Sequence, residues 1–257
     1  MALGADVGGS RIKFARLQDG ELTLQHQVER ERDWPDQLQR ELVALADPVG
    51  VGVAGLVDHE RGVLRWAPHL SGRDVHLGEK LSATLARPVL VDNDANCATR
   101  AEADHLDSDP VLVLMIGTGI GMGLWTAGEI YRGAAHAGEA GHMFIENDGL
   151  GCRCGRRGCW ETRVSGWRFA EVGATEAALE EMGMWLGRGL LTLATLFDPA
   201  LIVLGGGFIE EHGNTLGDLA SAEITRLSDA ERPSPPIVRA VHGMWVGAIG
   251  AAMLASP

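Results

Sequence analysis

No stretch of this sequence reaches the roughly 20 apolar residues that a membrane-spanning helix needs, which excludes a helical membrane protein. Basic residues are few beside acidic ones, 22 Lys and Arg against 35 Asp and Glu, for a net charge of -13. Such a chain repels nucleic acid and anionic lipid unless its cations are gathered in one place. The densest basic stretch, Arg153, Arg156 and Arg157, sits inside a cysteine cluster. The opening residues Met1-Ala2-Leu3-Gly4-Ala5-Asp6 lack the charged region and apolar run of a signal peptide, so the expected compartment is the cytoplasm. There are only four cysteines. In a reducing compartment these are metal ligands or free thiols rather than disulfides. Low-complexity sequence is absent, and the softest segment is Ser228 to Pro236, with three prolines.

What the sequence does hold is glycine: 35 residues, about twice the usual share of roughly 7%. That excess points to tight turns and to backbone brought close to a ligand. The 257 residues suffice for one large domain or two modest ones. Short apolar runs, Leu3–Val7, Val49–Ala54, Val89–Val91, Val111–Ile116 and Leu201–Leu204, read as buried strands. Leu38, Leu42 and Leu45, entered through Asp33 and Pro35, read as a helix. Leu179, Met182, Leu186, Leu190, Leu193 and Phe197 keep one face of a longer helix against a core, and Asp198-Pro199 stops it. Strands alternating with helices predict an α/β architecture. A faint internal echo links Leu3–Gly9 and Leu112–Gly119, each an apolar strand running into a glycine turn.

Three glycine turns carry chemistry. Asp6-Val7-Gly8-Gly9-Ser10 offers backbone donors for phosphate and a carboxylate for Mg²⁺ or its waters, with Lys13 near in sequence; it also suits a plain hairpin. Gly117-Thr118-Gly119-Ile120-Gly121 is followed by strand-like residues. A dinucleotide fingerprint needs a helix there, so a phosphate-binding hairpin is the better reading. Leu204-Gly205-Gly206-Gly207 lets a flat group or a phosphate approach the backbone, or is a tight strand–helix turn. His142, Cys152, Cys154 and Cys159 make a complete tetrahedral zinc set, which argues for a structural ion with no open position. Glu139 and Glu161 bracket that loop, where a fixed backbone could present them to a polyhydroxylated ligand. Cys97 reads as a buried small hydrophobe.

In this order, with Val91-Asp92-Asn93-Asp94-Ala95-Asn96-Cys97-Ala98 and Gly138-Glu139-Ala140-Gly141-His142 between them, these motifs resemble the ROK family over nearly the whole chain. The resemblance implies an actin-like, hexokinase-type (ribonuclease H-like) α/β fold of two lobes with a ligand cleft between them. It implies lobes over 1–110 and 111–242, with a terminal helix at 243–257 returning to the first. It also implies phosphoryl transfer from ATP to a sugar hydroxyl: glucose at the 6-hydroxyl, with an N-acetylhexosamine as the alternative acceptor. Asp94 matches the general base. Asn93, Gly55, Glu139, His142 and Glu161 match the sugar side. Asp6, Gly8, Gly9, Ser10, Lys13, Gly117, Thr118 and Gly119 match the phosphate side, and Gly205, Gly206 and Gly207 the adenosine turn. The implied cofactors are Mg²⁺ and the structural zinc on His142, Cys152, Cys154 and Cys159; the implied assembly is a homodimer. Family members that act as repressors carry a DNA-binding domain ahead of the sugar domain. Asp6 stands too near Met1 to fit one, which favours the kinase branch; an intact Asp94 and both phosphate loops argue against the alternative of a non-catalytic sugar sensor.

Departures from the family pattern bear on specificity. Ser10 replaces a usual threonine, no proline precedes Gly55, and His69 and Arg73 stand where asparagine and tryptophan are common. The stretch between Gly166 and Leu179 is shorter than usual by several tens of residues. Because it lies on the nucleotide side, donors such as polyphosphate stand beside ATP as alternatives.

Overall fold

The structure is a computed structural model that describes residues 1–45, 47–67, 70–228 and 234–256. His69 and part of the Ser228–Pro236 segment lie outside the described residues. The chain divides into two compact units. The first comprises Met1–His105, Ile130–Ala137 and Met244–Pro257; the second comprises Leu106–Glu129 and Gly138–Gly243.

The first unit is built on a five-stranded sheet. Its strands are β1 (Ala2–Val7), β2 (Arg11–Gln18), β3 (Glu21–Glu29), β4 (Val49–Val53) and β7 (Val89–Asn93), in the order β3-β2-β1-β4-β7. β1, β2 and β3 pair antiparallel, whereas β1, β4 and β7 run parallel. Helices α1 (Trp34–Val43), α2 (Leu77–Leu85) and α3 (Asp94–Ala103), a small hairpin of β5 (Leu56–Asp58) and β6 (Val63–Trp66), and the terminal helix α7 (Val246–Leu254) complete it. β1 and β4 are buried along their full length, as expected of apolar runs covered on both faces. Trp34, Leu38 and Leu42 of α1 and Leu77 and Leu81 of α2 join Leu3, Ala5, Val49 and Val51 in one core.

Helix α7 explains three glycines. Val246 to Ala252 are all buried, so this helix is apolar all round, the mark of a helix packed on every side. A Cβ on Gly4 would lie 1.9 Å from the Ala248 carbonyl oxygen, and one on Gly50 1.8 Å from that of Ala251. Within α7, a Cβ on Gly250 would lie 1.7 Å from the Cys97 oxygen. The helix therefore rests on β1, β4 and α3 at backbone-to-backbone range, which no side chain larger than hydrogen permits.

The second unit carries a second five-stranded sheet. Its strands are β8 (Val111–Ile116), β9 (Ile120–Thr126), β10 (Glu129–Ile130, of which Ile130 counts with the first unit), β11 (Leu201–Gly205) and β12 (Ile237–Arg239), in the order β10-β9-β8-β11-β12. β8 pairs antiparallel with β9 and parallel with β11, as β1 does with β2 and β4. The two sheets share one topology, and β1 and β8 are equivalent strands within it; the echo between Leu3–Gly9 and Leu112–Gly119 is that repeat. Helices α4 (Gly166–Glu171), α5 (Glu176–Phe197) and α6 (Gly207–Leu227) pack here. α5 begins at Thr175, whose hydroxyl accepts from Ala178 N, and ends at Asp198 in the left-handed region, as its apolar period and Asp198-Pro199 predict. α6 was not evident beyond the glycine turn that starts it.

Candidate functional site

Every motif singled out in the first unit falls at the carboxyl end of a parallel strand, the edge at which α/β sheets carry their ligands. Asp6, Gly52 and Asp92 are register mates on β1, β4 and β7, and Val7, Val53 and Asn93 form the next row. With strands about 4.8 Å apart, that row spans about 10 Å. β1 turns into β2 through Gly8–Ser10, closed by Gly8 N donating to Arg11 O at 3.0 Å. The segment is a hairpin turn at the sheet edge, and Gly8 N is spent in closing it. The Arg30 guanidinium, which sequence reasoning missed, donates to Gly9 O at 2.7 and 3.0 Å and holds the turn from outside.

Asp6 is buried, and its carboxylate lies 3.6 Å from Lys13 Nζ. Burial pushes this carboxyl above its ordinary range, and the Lys13 charge pulls it back. Gly247 on α7 makes room for it: a Cβ there would come 2.8 Å from Asp6 Cγ.

At the end of β7, Asn93 caps α3. Its Oδ1 accepts from Ala95 N at 2.8 Å and Asn96 N at 3.1 Å, and its Nδ2 donates to Gly55 O at 3.0 Å. Both lone pairs of that oxygen are thereby used, and one amide N–H is left for a ligand. Gly55 has φ +143° and its Cβ would strike Trp66 O at 2.5 Å, so the carbonyl that receives Asn93 depends on glycine. Asp94 is the first residue of α3, with Oδ1 3.0 Å from Ala95 N. Cys97 is fully buried and its thiol is pushed well up by that burial, so it is the inert hydrophobe expected.

In the second unit the remaining motifs converge. Gly117–Gly119 links β8 to β9 as a hairpin, with Gly117 N donating to Gly119 O at 3.0 Å. The start of α4 fastens onto it: Gly166 N donates to Gly117 O at 2.8 Å and Trp167 N to Thr118 O at 3.4 Å. Gly119 faces the Glu161 carboxylate, which would lie 2.8 Å from a Cβ there. Gly206, at φ +94°, crosses the end of β8, where its Cβ would meet Ile116 O at 2.4 Å. The two glycine turns of this unit are thus neighbours at the ends of the adjacent parallel strands β8 and β11.

His142 lies at the end of a short 3-10 turn, Ala140–His142, that packs on β9, since a Cβ on Gly141 would lie 2.7 Å from Ile120 O. Cys152 Sγ is 3.6 Å from His142 Nδ1, Cys154 Sγ is 3.6 Å from Cys159 Sγ, and all four ligand atoms lie within 4.8 Å of one another. Zinc–sulfur bonds of about 2.3 Å set sulfurs about 3.8 Å apart in a tetrahedron, so these residues could hold the ion without moving far. Three thiols and an imidazole are also its preferred donors. Glu161 Oε1 lies 3.7 Å from His142 Nδ1 and accepts from Cys152 Sγ at 3.0 Å, and Glu139 Oε2 lies 3.9 Å from His142 Nε2. Both glutamates therefore border the cluster. Trp160 anchors its far side: it is fully buried, faces Gly189 of α5 and donates from Nε1 to Trp185 O at 2.9 Å.

None of the described helices is long and apolar enough to cross a membrane. The sequence model of the ROK family matches residues 2–174 and 169–257. The glucokinase of Streptomyces coelicolor is 28% identical over 309 aligned positions, covering 99% of this chain and 97% of its own. The N-acetyl-D-glucosamine kinase of Shigella boydii is 34% identical over 303 positions, covering 99% of each. A ROK family glucokinase from Streptomyces griseus, solved in complex with glucose and AMPPNP, superposes with a TM-score of 0.87 at 27% identity, over 99% of this chain and 98% of that one. Both alignments run over more positions than the 257 residues of this chain, so the relatives hold segments it lacks. The two matched pieces of the family model overlap over 169–174, the end of α4 and the turn that follows it, within the stretch where the sequence reading places the shortening.

Proposed function

The chain belongs to the ROK family, and from that membership we propose that it transfers the γ-phosphoryl group of ATP to the 6-hydroxyl of glucose. The actin-like, hexokinase-type fold and the sugar phosphotransferase class follow from its relatives. The observation that carries the choice of acceptor is the likeness, over 99% of the chain, to a glucokinase holding glucose and an ATP analogue.

The residues suit that chemistry. Phosphoryl transfer asks for alignment and charge stabilisation more than for covalent work by the protein. Asp94 would accept the hydroxyl proton and aim the oxygen at phosphorus. Asn93, through its remaining N–H, with Glu139, His142 and Glu161, would hold the sugar hydroxyls. Gly8–Ser10 and Gly117–Gly119 would present backbone N–H groups to phosphate, and Gly205–Gly207 would let the adenosine lie against the backbone. Lys13 adds positive charge beside Asp6. Asp6 would hold Mg²⁺ through its waters, and that ion neutralises phosphate charge when bound. His142, Cys152, Cys154 and Cys159 would hold a structural zinc that fixes the loop carrying Glu161.

The rival acceptor is an N-acetylhexosamine, favoured by the 34% identity to an N-acetyl-D-glucosamine kinase. Coupled ADP release with Mg-ATP across glucose, mannose, fructose, N-acetylglucosamine and N-acetylmannosamine separates the two. Fastest turnover on glucose supports the proposal, and fastest turnover on an acetylated sugar replaces glucose with that acceptor. If only polyphosphate drives product formation, the donor assignment to ATP is wrong.

A further inference from the structure

The Asp92 carboxylate lies one row behind the Asn93–Asp94 turn and is 3% exposed. Four donors satisfy it. Its Oδ1 accepts from Asn93 N at 2.8 Å and from Asn96 Nδ2 at 2.9 Å. Its Oδ2 accepts from Arg132 at 3.0 Å through Nε and at 2.6 Å through Nη2. One oxygen therefore holds the turn that precedes the base, and the other is held by a single arginine. That arginine is itself fixed. Its Nη1 donates to Ile130 O at 3.2 Å, and its own carbonyl accepts from Ala135 N and Ala137 N at 2.9 and 3.2 Å. Arg132 belongs to Ile130–Ala137, a strap that returns the chain to the first unit immediately before Gly138–His142.

We propose that Arg132 is a positioning residue for phosphoryl transfer: its two-bond grip on Asp92 fixes the β7–α3 turn and so aims the Asp94 carboxylate. The proposal rests on the reading of Asp94 as the base. The physical reason is that a buried carboxylate tolerates its site only while paired. Without Arg132, Asp92 is left buried and unpaired and must swing toward water, which loosens its hold on Asn93 N and the Asn96 side chain. Those two groups, with the Asn93 cap, define where α3 begins and where Asp94 leaves it. A misplacement of about 1 Å in a reacting group costs about 100-fold in rate. A planar guanidinium that converges two N–H groups on one oxygen cannot be reproduced by lysine.

The test compares Arg132→Ala, Arg132→Lys, Asp94→Asn and Arg132→Ala/Asp94→Asn for ADP release, for sugar affinity by calorimetry and for Tm. For Arg132→Ala the expected result is kcat lower by about 10- to 100-fold, with sugar affinity within about 3-fold. Millimolar guanidinium should restore part of that loss, since the arginine side chain is 19% exposed and its truncation leaves a cavity of the guanidinium's own shape beside Asp92. Lysine should recover only part. The double variant should be no slower than Asp94→Asn alone, because both changes disable one group. Should Arg132→Ala fail to fold, Arg132→Lys, which keeps the charge but not the fork, carries the test through its kcat. Unchanged kcat in the variant that folds, no rescue by guanidinium, or a loss that multiplies with that of Asp94→Asn overturns the proposal. An Asp94→Asn protein that keeps its turnover instead overturns the assignment of the base, whatever the arginine variants do.

Discussion

Asp6 concentrates a cost and a use in one carboxylate. Burial raises its pKa above 3.8, and Lys13 offsets only part of that. A raised value means that the folded chain binds this proton more tightly than the unfolded one. The stability the group contributes is therefore complete below pH 3.8 and is lost as pH climbs through the raised value. At pH 7 the charge is a burden, so Asp6→Asn is expected to raise Tm in magnesium-free buffer by scanning calorimetry while abolishing ADP release. An unchanged or lowered Tm at pH 7 would contradict it. Gly247 serves the same carboxylate. A methyl group there would sit 2.8 Å from Asp6 Cγ, so Gly247→Ala should displace Asp6 and lower kcat about 10- to 100-fold with sugar affinity intact. Gly247, Arg30 and Arg132 were not legible as site residues. Their partners lie 21 or more positions away in the chain, and no local pattern marks a glycine or arginine whose task is set by a distant strand.

At the scale of elements, legibility followed burial. β1, β4, β8 and β11 are sealed on both faces and read as unbroken apolar runs. β3 is largely exposed and polar, so nothing in Glu21–Glu29 stood out as a strand. α6 has an apolar face at Leu216, Ala220 and Ile224, but Gly213 and Gly217 interrupt the pattern that would have revealed it. These glycines differ in purpose from those of α5. Gly183 and Gly187 lie against Leu219 and Ala220, bringing the two long helices close. Across that pair Glu223 takes both Arg226 and Arg188, at 2.7 and 2.8 Å, and these bonds hold its carboxyl down to about 2. A depressed value contributes stability above 4.5 that disappears as pH falls toward 2. Glu223→Gln should therefore lower Tm at pH 7, and the gap from the parent should narrow as thermal melts move below pH 4.5. A gap that stays constant to pH 2.5 would assign the loss to packing instead.

For the whole molecule, the order of motifs carried more than any one of them. Three glycine turns and an Asp-Asn-Asp step are each compatible with ordinary hairpins and caps, and several are hairpins and caps here. Asn93 both caps α3 and donates to Gly55 O, which spacing cannot reveal. The cysteine loop was the exception, because ligand type and count alone define a tetrahedral site. If that reading is right, elemental analysis should find one zinc per chain. Stripping the metal with a chelator should lower Tm and weaken sugar binding, since Glu161 and Glu139 border the cluster. Full sugar affinity after removal of the zinc would separate the cluster from the sugar site.

The placement of α7 has a consequence for biosynthesis. Chains ordinarily fold from the N-terminus as they leave the ribosome. Here the helix that covers Gly4 and Gly50 emerges after every residue of the second unit. The unit begun by the first strand to be made is therefore the last to receive all of its residues. Until α7 arrives, the backbone at Gly4 and Gly50 lacks its cover, and the younger half of the protein can finish folding before the older half does.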